Sequence, residues 1–324
     1  MPSFDPIPPP PPSGARRALR VGLLVGLALV VVGGLAFAAA SFVFLWRGEH
    51  ANLPAGEAVE VVRYFFELKD EGEAEAVEAD LDIALGAVRV APAEEDALFQ
   101  AEVDLTSARL RPRFEGDVAG GRARVALSLG GEEVSLRGVR ATRGNTWRLY
   151  FSERAPVDLD LSLGAAEADL DFTGVPLSRL ALDCGMARAT LRFEAPNPTE
   201  MTRLAISAGL SNFEARGLGH ARFAALDFEG GAGEFTLDFS GDALQPGATA
   251  SVDVGMASLT LVLPAAHPVV LDAPASFMTH VEVPPALTKL GAGRWATAGA
   301  EADARALRID VDAGPGTVRV RLAD

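Results

Sequence analysis

One spacing constrains this chain more than any other. Two alternating apolar residues are followed by a glycine five positions after the first, and then by apolar residues on the opposite parity. Leu81 and Ile83 lead to Gly86, Leu159 and Leu161 to Gly164, Leu180 and Leu182 to Gly185, and Leu204 and Ile206 to Gly209. Leu226 and Phe228 lead to Gly231, and Ile309 and Val311 to Gly314; Ala250 and Val252 before Gly255 make a looser copy. From Gly164 to Gly255 the glycines are 21, 24, 22 and 24 residues apart, an interval suited to one turn of a solenoid.

The alternation before and after each glycine is that of a strand, and the one-residue change of phase marks a corner between two faces. Glycine suits such a corner through positive φ and close backbone approach. Helices would need apolar residues at i, i+3, i+4 and i+7, which these windows lack. An antiparallel meander would alternate similarly, but a fixed order of strand, corner, strand and loop implies equivalent residues stacked in parallel. The expected fold class is therefore all-β, a parallel β-solenoid over residues 57–324. The stretch 99–157, where the period lapses, and the proline-interrupted stretch 264–307 are expected to form caps. Breakers such as Pro196-Asn197-Pro198 mark the loops between copies.

Ahead of the repeat, residues 21–46 carry no charge. As a helix they would span about 39 Å, enough for a tilted membrane crossing. Arg16, Arg17 and Arg20 precede the segment, so a proline-rich tail, residues 1–20, is expected in the cytoplasm. A linker, residues 47–56, and the repeat domain would then lie outside a cell membrane crossed once. The rival reading is a cleavable signal peptide ending near Ala38-Ala39-Ala40. Gly22 and Gly26 have the small-xxx-small spacing of paired membrane helices, although glycine is common in such helices anyway.

The motifs of the outer domain resemble those of the bacterial toast-rack family, related to putative-adhesin domains and to the outer regions of LiaF-type antibiotic-response proteins. The residues that carry the resemblance are NTWRLYF at 145–151, VDLDLSLGAAEADLDFTGVPL at 157–177 and LDFEGGAGEFTLDFSG at 226–241. The resemblance implies a parallel β-solenoid at the cell envelope with a role in adhesion, scaffolding or stress sensing.

Composition narrows the chemistry. The formal charge is −15, so nucleic acid is not an expected partner; a basic peptide or an envelope protein is. Cys184 is the single cysteine, so no disulfide forms within the chain, and the repeat register points its thiol into the core. His50, His220, His267 and His280 are far apart and read as incidental. Gly231-Ala232-Gly233 lacks the helix and lysine of a phosphate cradle and reads as a corner. No catalytic, cofactor or metal motif is present, so neither cofactor nor bound metal is expected.

Stacking the copies turns outward residues into columns. Asp82, Asp160, Asp227 and Asp310 lie four positions before their glycines; Asp183, Glu229, Asp253 and Asp312 lie two before. With rungs about 4.8 Å apart, the face should be acidic and self-repelling unless water, cations or a basic partner screens it. Beyond the glycines, Glu167 and Arg188, Asp171 and Arg192, and Arg216 and Asp238 should face each other across rungs. The function expected from these features is a noncatalytic, membrane-anchored envelope module for interaction, adhesion or sensing. The alternative is a carbohydrate-active β-helix enzyme using clustered carboxylates, and a third reading is a mechanical spacer.

Overall fold

The computed structural model describes residues 61–69, 74–93, 97–107, 110–130 and 144–323. The expected tail, membrane segment and linker lie outside these residues, as does His50.

The described chain is built of strands. β1 (Val62–Lys69) precedes the first long strand, β2 (Ala76–Pro92). Four shorter strands follow: β3 (Ala97–Leu105), β4 (Arg111–Ala119), β5 (Arg122–Gly130) and β6 (Thr146–Phe151). Five long strands carry the repeat: β7 (Val157–Asp171), β8 (Leu177–Arg192), β9 (Met201–Arg216), β10 (Phe223–Asp238) and β11 (Thr249–Leu263). Next come β12 (Val269–Asp272), β13 (Thr279–Glu282), β14 (Thr288–Gly291) and β15 (Arg294–Ala296), and last β16 (Leu307–Ala313) and β17 (Gly316–Leu322).

The long strands pair in parallel in the order β2, β7, β8, β9, β10, β11. At both ends of the stack the single bent strand gives way to two separate ones. β5 and β6 pair with the two halves of β2, and β16 and β17 with the two halves of β11. The sheet therefore forks, and each arm ends in shorter pieces. β4 lies antiparallel on β5, and β3 and then β1 antiparallel on β6; at the far end β12, β15 and β14 continue from β16, and β13 from β17. These are the caps expected from the two stretches that break the period, and antiparallel pairing enters only there.

Burial along a rung explains the bend. In β8, Leu180, Leu182 and Cys184 point inward; Gly185 and Met186 both face out; Ala187, Ala189 and Leu191 point inward again. The two consecutive outward residues turn one strand into two faces around a shared interior. Volumes compensate between rungs inside it. Phe213, Phe228 and Phe235 are buried with ring centroids 5.8 and 5.3 Å apart, and the space they need comes from Gly230, where a β-carbon would stand 2.6 Å from the Phe235 ring. Burying each such ring contributes about 1.5–3 kcal/mol. Phe172, Phe193 and Phe239, each just beyond a strand end, are buried and help close the loop side.

The observed register corrects one corner. Gly164 pairs with the level of Ala84, not of Gly86, because Leu81 lies opposite Leu161 and Gly86 opposite Ala166. The corner column is thus Ala84, Gly164, Gly185, Gly209, Gly231, Gly255 and Gly314. The physical reason for glycine also shifts. Positive φ is found two residues later, at Gly86, Gly233 and Gly316, and not at the corner glycines. The corner glycines answer to crowding: a β-carbon on Gly164, Gly209, Gly231, Gly255 or Gly314 would stand 2.4–2.8 Å from the carbonyl oxygen of the rung before.

Candidate functional site

The corrected register rearranges the carboxylates. Two positions before the corner, successive rungs present Asp82, Ser162, Asp183, Ser207, Glu229, Asp253 and Asp312. Asp82, expected beside Asp160, belongs to this column because its rung is shifted by two residues. Four positions before the corner the column reads Asp80, Asp160, Ala181, Ala205, Asp227, Ser251 and Asp310.

The two columns differ electrostatically. Arg179, further from the corner, bonds Asp158 at 2.8 Å and Asp160 at 2.9 Å, and Arg203 bonds Asp227 at 2.8 Å. Asp160 and Asp227 are therefore neutralised, which the sequence columns missed because their arginines sit on neighbouring rungs. Asp183, Glu229, Asp253 and Asp312 are exposed, and none of them forms an ion pair among the described residues. Glu229, Asp253 and Asp312 occupy three successive rungs. At about 4.8 Å per rung, neighbouring charges repel by roughly 1 kcal/mol in water. Partial burial, then Asp312 and Glu229, raise the pKa of Asp253 above its ordinary value.

One residue beyond the corner runs a second column, which is apolar: Leu85, Ala165, Met186, Leu210, Ala232 and Met256, then Pro315. Met186 is 56% exposed, Leu210 42% and Met256 48%. Met278 continues the line, since Gly316 donates its N–H to the Met278 carbonyl, and neighbouring Phe277 is 93% exposed. Ser276 and Thr279 fix that tip: their hydroxyls lie 2.9 Å apart, and the Thr279 hydroxyl bonds the Ala313 and Gly314 carbonyls. This ridge escaped the reading of the sequence, although Met186, Leu210 and Met256 each directly follow a repeat glycine.

Between the acidic column and the apolar ridge lie the corner glycines, which have no side chains, so a strip of bare backbone separates the two. At β8 and β9 the ladder itself opens, pairing Cys184 with Ala208 and resuming only at Arg188 and Asn212. A hollow of about 360 Å³ occupies this opening, lined by Met186, Leu210, Ala232 and Ser211 among others. The Ser211 hydroxyl is buried and has no hydrogen-bond partner. A second hollow, of about 300 Å³, lies on the other face among Arg89, Arg148, Glu167, Asp169 and Arg188.

The expected cross-rung pairs are realised unevenly. Asp171 and Arg192 meet at 3.5 Å, while Arg192 also reaches Asp169 at 2.7 Å. Glu167 lies opposite Arg188 without an ion pair, and Arg216 turns to Glu214 at 2.8 Å instead of to Asp238. Cys184 is fully buried, and that burial, with nearby Asp183, pushes its thiol up to about 12. His220 bonds the Phe193 carbonyl, His267 the Arg305 carbonyl, and His280 lies beside Glu282; the three serve separate places. Among the described residues no three His, Cys, Asp or Glu side chains are grouped to hold a metal ion.

The chain is similar to the solved structure of a putative cell adhesion protein from Clostridium sporogenes ATCC 15579, with 17% identity, 82% of this chain and 100% of that one covered, and a TM-score of 0.44. A putative adhesin from Bacteroides fragilis NCTC 9343 gives 10% identity over 81% of this chain and 98% of that one, with a TM-score of 0.35. A putative adhesin from Parabacteroides merdae ATCC 43184 gives 10% identity over 81% and 96%, with a TM-score of 0.32. No curated protein matches the chain. The family model for the N-terminal domain of toast_rack matches residues 57–216, a span that holds the rungs β2, β7, β8 and β9 and ends where β9 does. Residues 57–216 thus carry a toast-rack N-terminal domain.

Proposed function

We propose that this chain is a noncatalytic interaction module of the bacterial cell envelope: a parallel β-solenoid held at the membrane by residues 21–46, with residues 1–20 in the cytoplasm. The observation that carries the reading is the division of labour within each rung. Inward columns are apolar and close-packed from cap to cap, whereas outward columns repeat polar and apolar groups at fixed spacing on a hydrogen-bonded ladder. Such a surface is built for presentation and for contact over many rungs. The uncharged segment 21–46 and the arginines before it support the anchoring and its orientation.

Two measurements test the proposal. Protease added to intact spheroplasts should remove the repeat domain and leave the tail protected; protection of the domain would refute the orientation. Photo-crosslinking residues placed on outward positions of β8 to β11 should capture an envelope protein in living cells. Failure to capture any partner from any of those positions would refute the interaction role.

A further inference from the structure

The corner of the stack has a cross-section that repeats through the last five rungs, from β8 to β16 and β17. Carboxylates stand on one side in four of the five rungs, with Ser207 in their place on β9; backbone without side chains lies in the middle, and an apolar row stands on the other side. At about 3.3 Å per residue the rows are about 10 Å apart along the bent strand, and four rung steps make the strip about 19 Å long. That length matches an amphipathic helix of about 13 residues.

We propose that the strip of corner glycines from Gly185 to Gly314 is the floor of a docking groove for a cationic amphipathic segment of a partner protein. Its apolar residues rest on Met186, Leu210 and Met256, and its lysines or arginines reach Asp183, Glu229, Asp253 and Asp312. The inference rests on the interaction role proposed above and assigns it a place.

Three independent features converge on this strip. Methionine and leucine side chains are left about half exposed at positions one residue past the glycines, where the other outward columns are largely polar. The four carboxylates across the floor have no ion-pair partner, although arginines neutralise Asp160 and Asp227 on the same face. The ladder opens between β8 and β9 into a hollow lined by Met186 and Leu210 of the ridge. Charge selects the occupant. Anionic lipid headgroups would be repelled by the carboxylate row, and a second copy of a chain with a net charge of −15 would bring further negative charge. A basic segment with one apolar side satisfies both walls.

The test uses the full chain in a mild nonionic detergent and a synthetic 14-residue helix of lysine and leucine with segregated faces; a scrambled peptide of the same composition is the control. Binding is read by fluorescence anisotropy. We expect the segregated peptide to bind in low salt and to be released in high salt. Affinity should fall at least tenfold in the triple variant Glu229→Gln, Asp253→Asn, Asp312→Asn, and at least tenfold in Met186→Ser with Met256→Ser. A control variant, Glu153→Gln, Glu194→Gln, Glu301→Gln, removes the same charge elsewhere and should bind as the parent does. Equal binding by all variants, equal losses in the control variant, or equal binding of the scrambled peptide would each overturn the proposal. So would a dimer that Met186→Ser dissolves, which would give the ridge to a second copy. Melting temperatures no lower than the parent's separate lost binding from lost folding, and the salt dependence of the parent needs no variant. Crosslinking in cells separates this inference from the broader one: partner capture from Thr190 or Thr236 but not from Ala232 or Met256 sinks the groove alone.

Discussion

Gly231 lies over Gly209 so closely that a β-carbon on Gly231 would stand 2.6 Å from the Gly209 carbonyl oxygen. The neighbour is backbone inside a hydrogen-bonded ladder, with no flexible tip that could move aside. Gly231→Ala should therefore force the two rungs apart and destabilise the domain by about 1–3 kcal/mol, the range of an over-packed interior. Gly185→Ala, where the same contact would be 3.1 Å, should cost less. Urea denaturation of the two variants side by side checks the order; equal midpoints would show that crowding at the corner is not what selects glycine.

Much of this architecture was legible because the repeat writes the same physics once per rung. Leu180, Leu182 and Gly185 specify an inward pair and a corner in any rung, so copies reinforce one another. The reading failed where a rung departs from its copies. In β2 the corner residue is Ala84, and Gly86, two residues on, imitated the motif; Ala84 has no long bent strand on its other side, where β5 and β6 have already parted. The columns could be drawn from spacing, but not the lateral reach of Arg179 and Arg203, which decides which carboxylates are left without an ion pair. The apolar ridge was hidden for a simpler reason: a Met or Leu after a strand glycine reads as core until the structure shows two successive residues facing out.

Asn197 illustrates another signal that sequence reasoning read only as a breaker. Its side chain is buried, and its amide clamps three levels of the stack. The Leu177 N–H donates to its oxygen, and its nitrogen donates to the Leu177 and Ala221 carbonyls. Asn197→Ala should strip the amide donor from the Leu177 and Ala221 carbonyls, leave the Leu177 N–H only the Val175 carbonyl, and cost about 2–4 kcal/mol. Hydrogen exchange should show selective loss of protection at Leu177; uniform protection would mean that water replaces the clamp without penalty.

Asp253 should make the domain slightly less stable at neutral pH than it is in mild acid. Its folded pKa is raised by partial burial and by Asp312 and Glu229, so in the window above the unfolded value of 3.8 the folded state holds more proton than the unfolded state. Stability from this residue therefore rises as pH falls into that window. Asp253→Asn should raise the melting temperature at pH 7, with a gain within about 0–1 kcal/mol because the side chain is exposed. Thermal melts of parent and variant in low and high salt check this: the gain should shrink in high salt, and a loss at pH 7 would mean that the carboxylate is paired favourably.

Cys184 should act in the same direction at the other end of the pH scale. Burial raises its folded thiol pKa from 9.0 to about 12, so between those values the unfolded chain ionises while the folded chain keeps its proton. The unfolded state then binds fewer protons, and stability falls with rising pH by up to about 1.4 kcal/mol per unit. Cys184→Ala should remove this slope above pH 9, at the expense of a small cavity near Leu163 and Ala208, its neighbours on adjoining rungs. A thiol reagent supplies an independent check at pH 8: it should leave the folded chain unmodified and label Cys184 fully in urea. Rapid labelling without denaturant would place the thiol at the surface and break the inward column on which the stacking of the rungs depends.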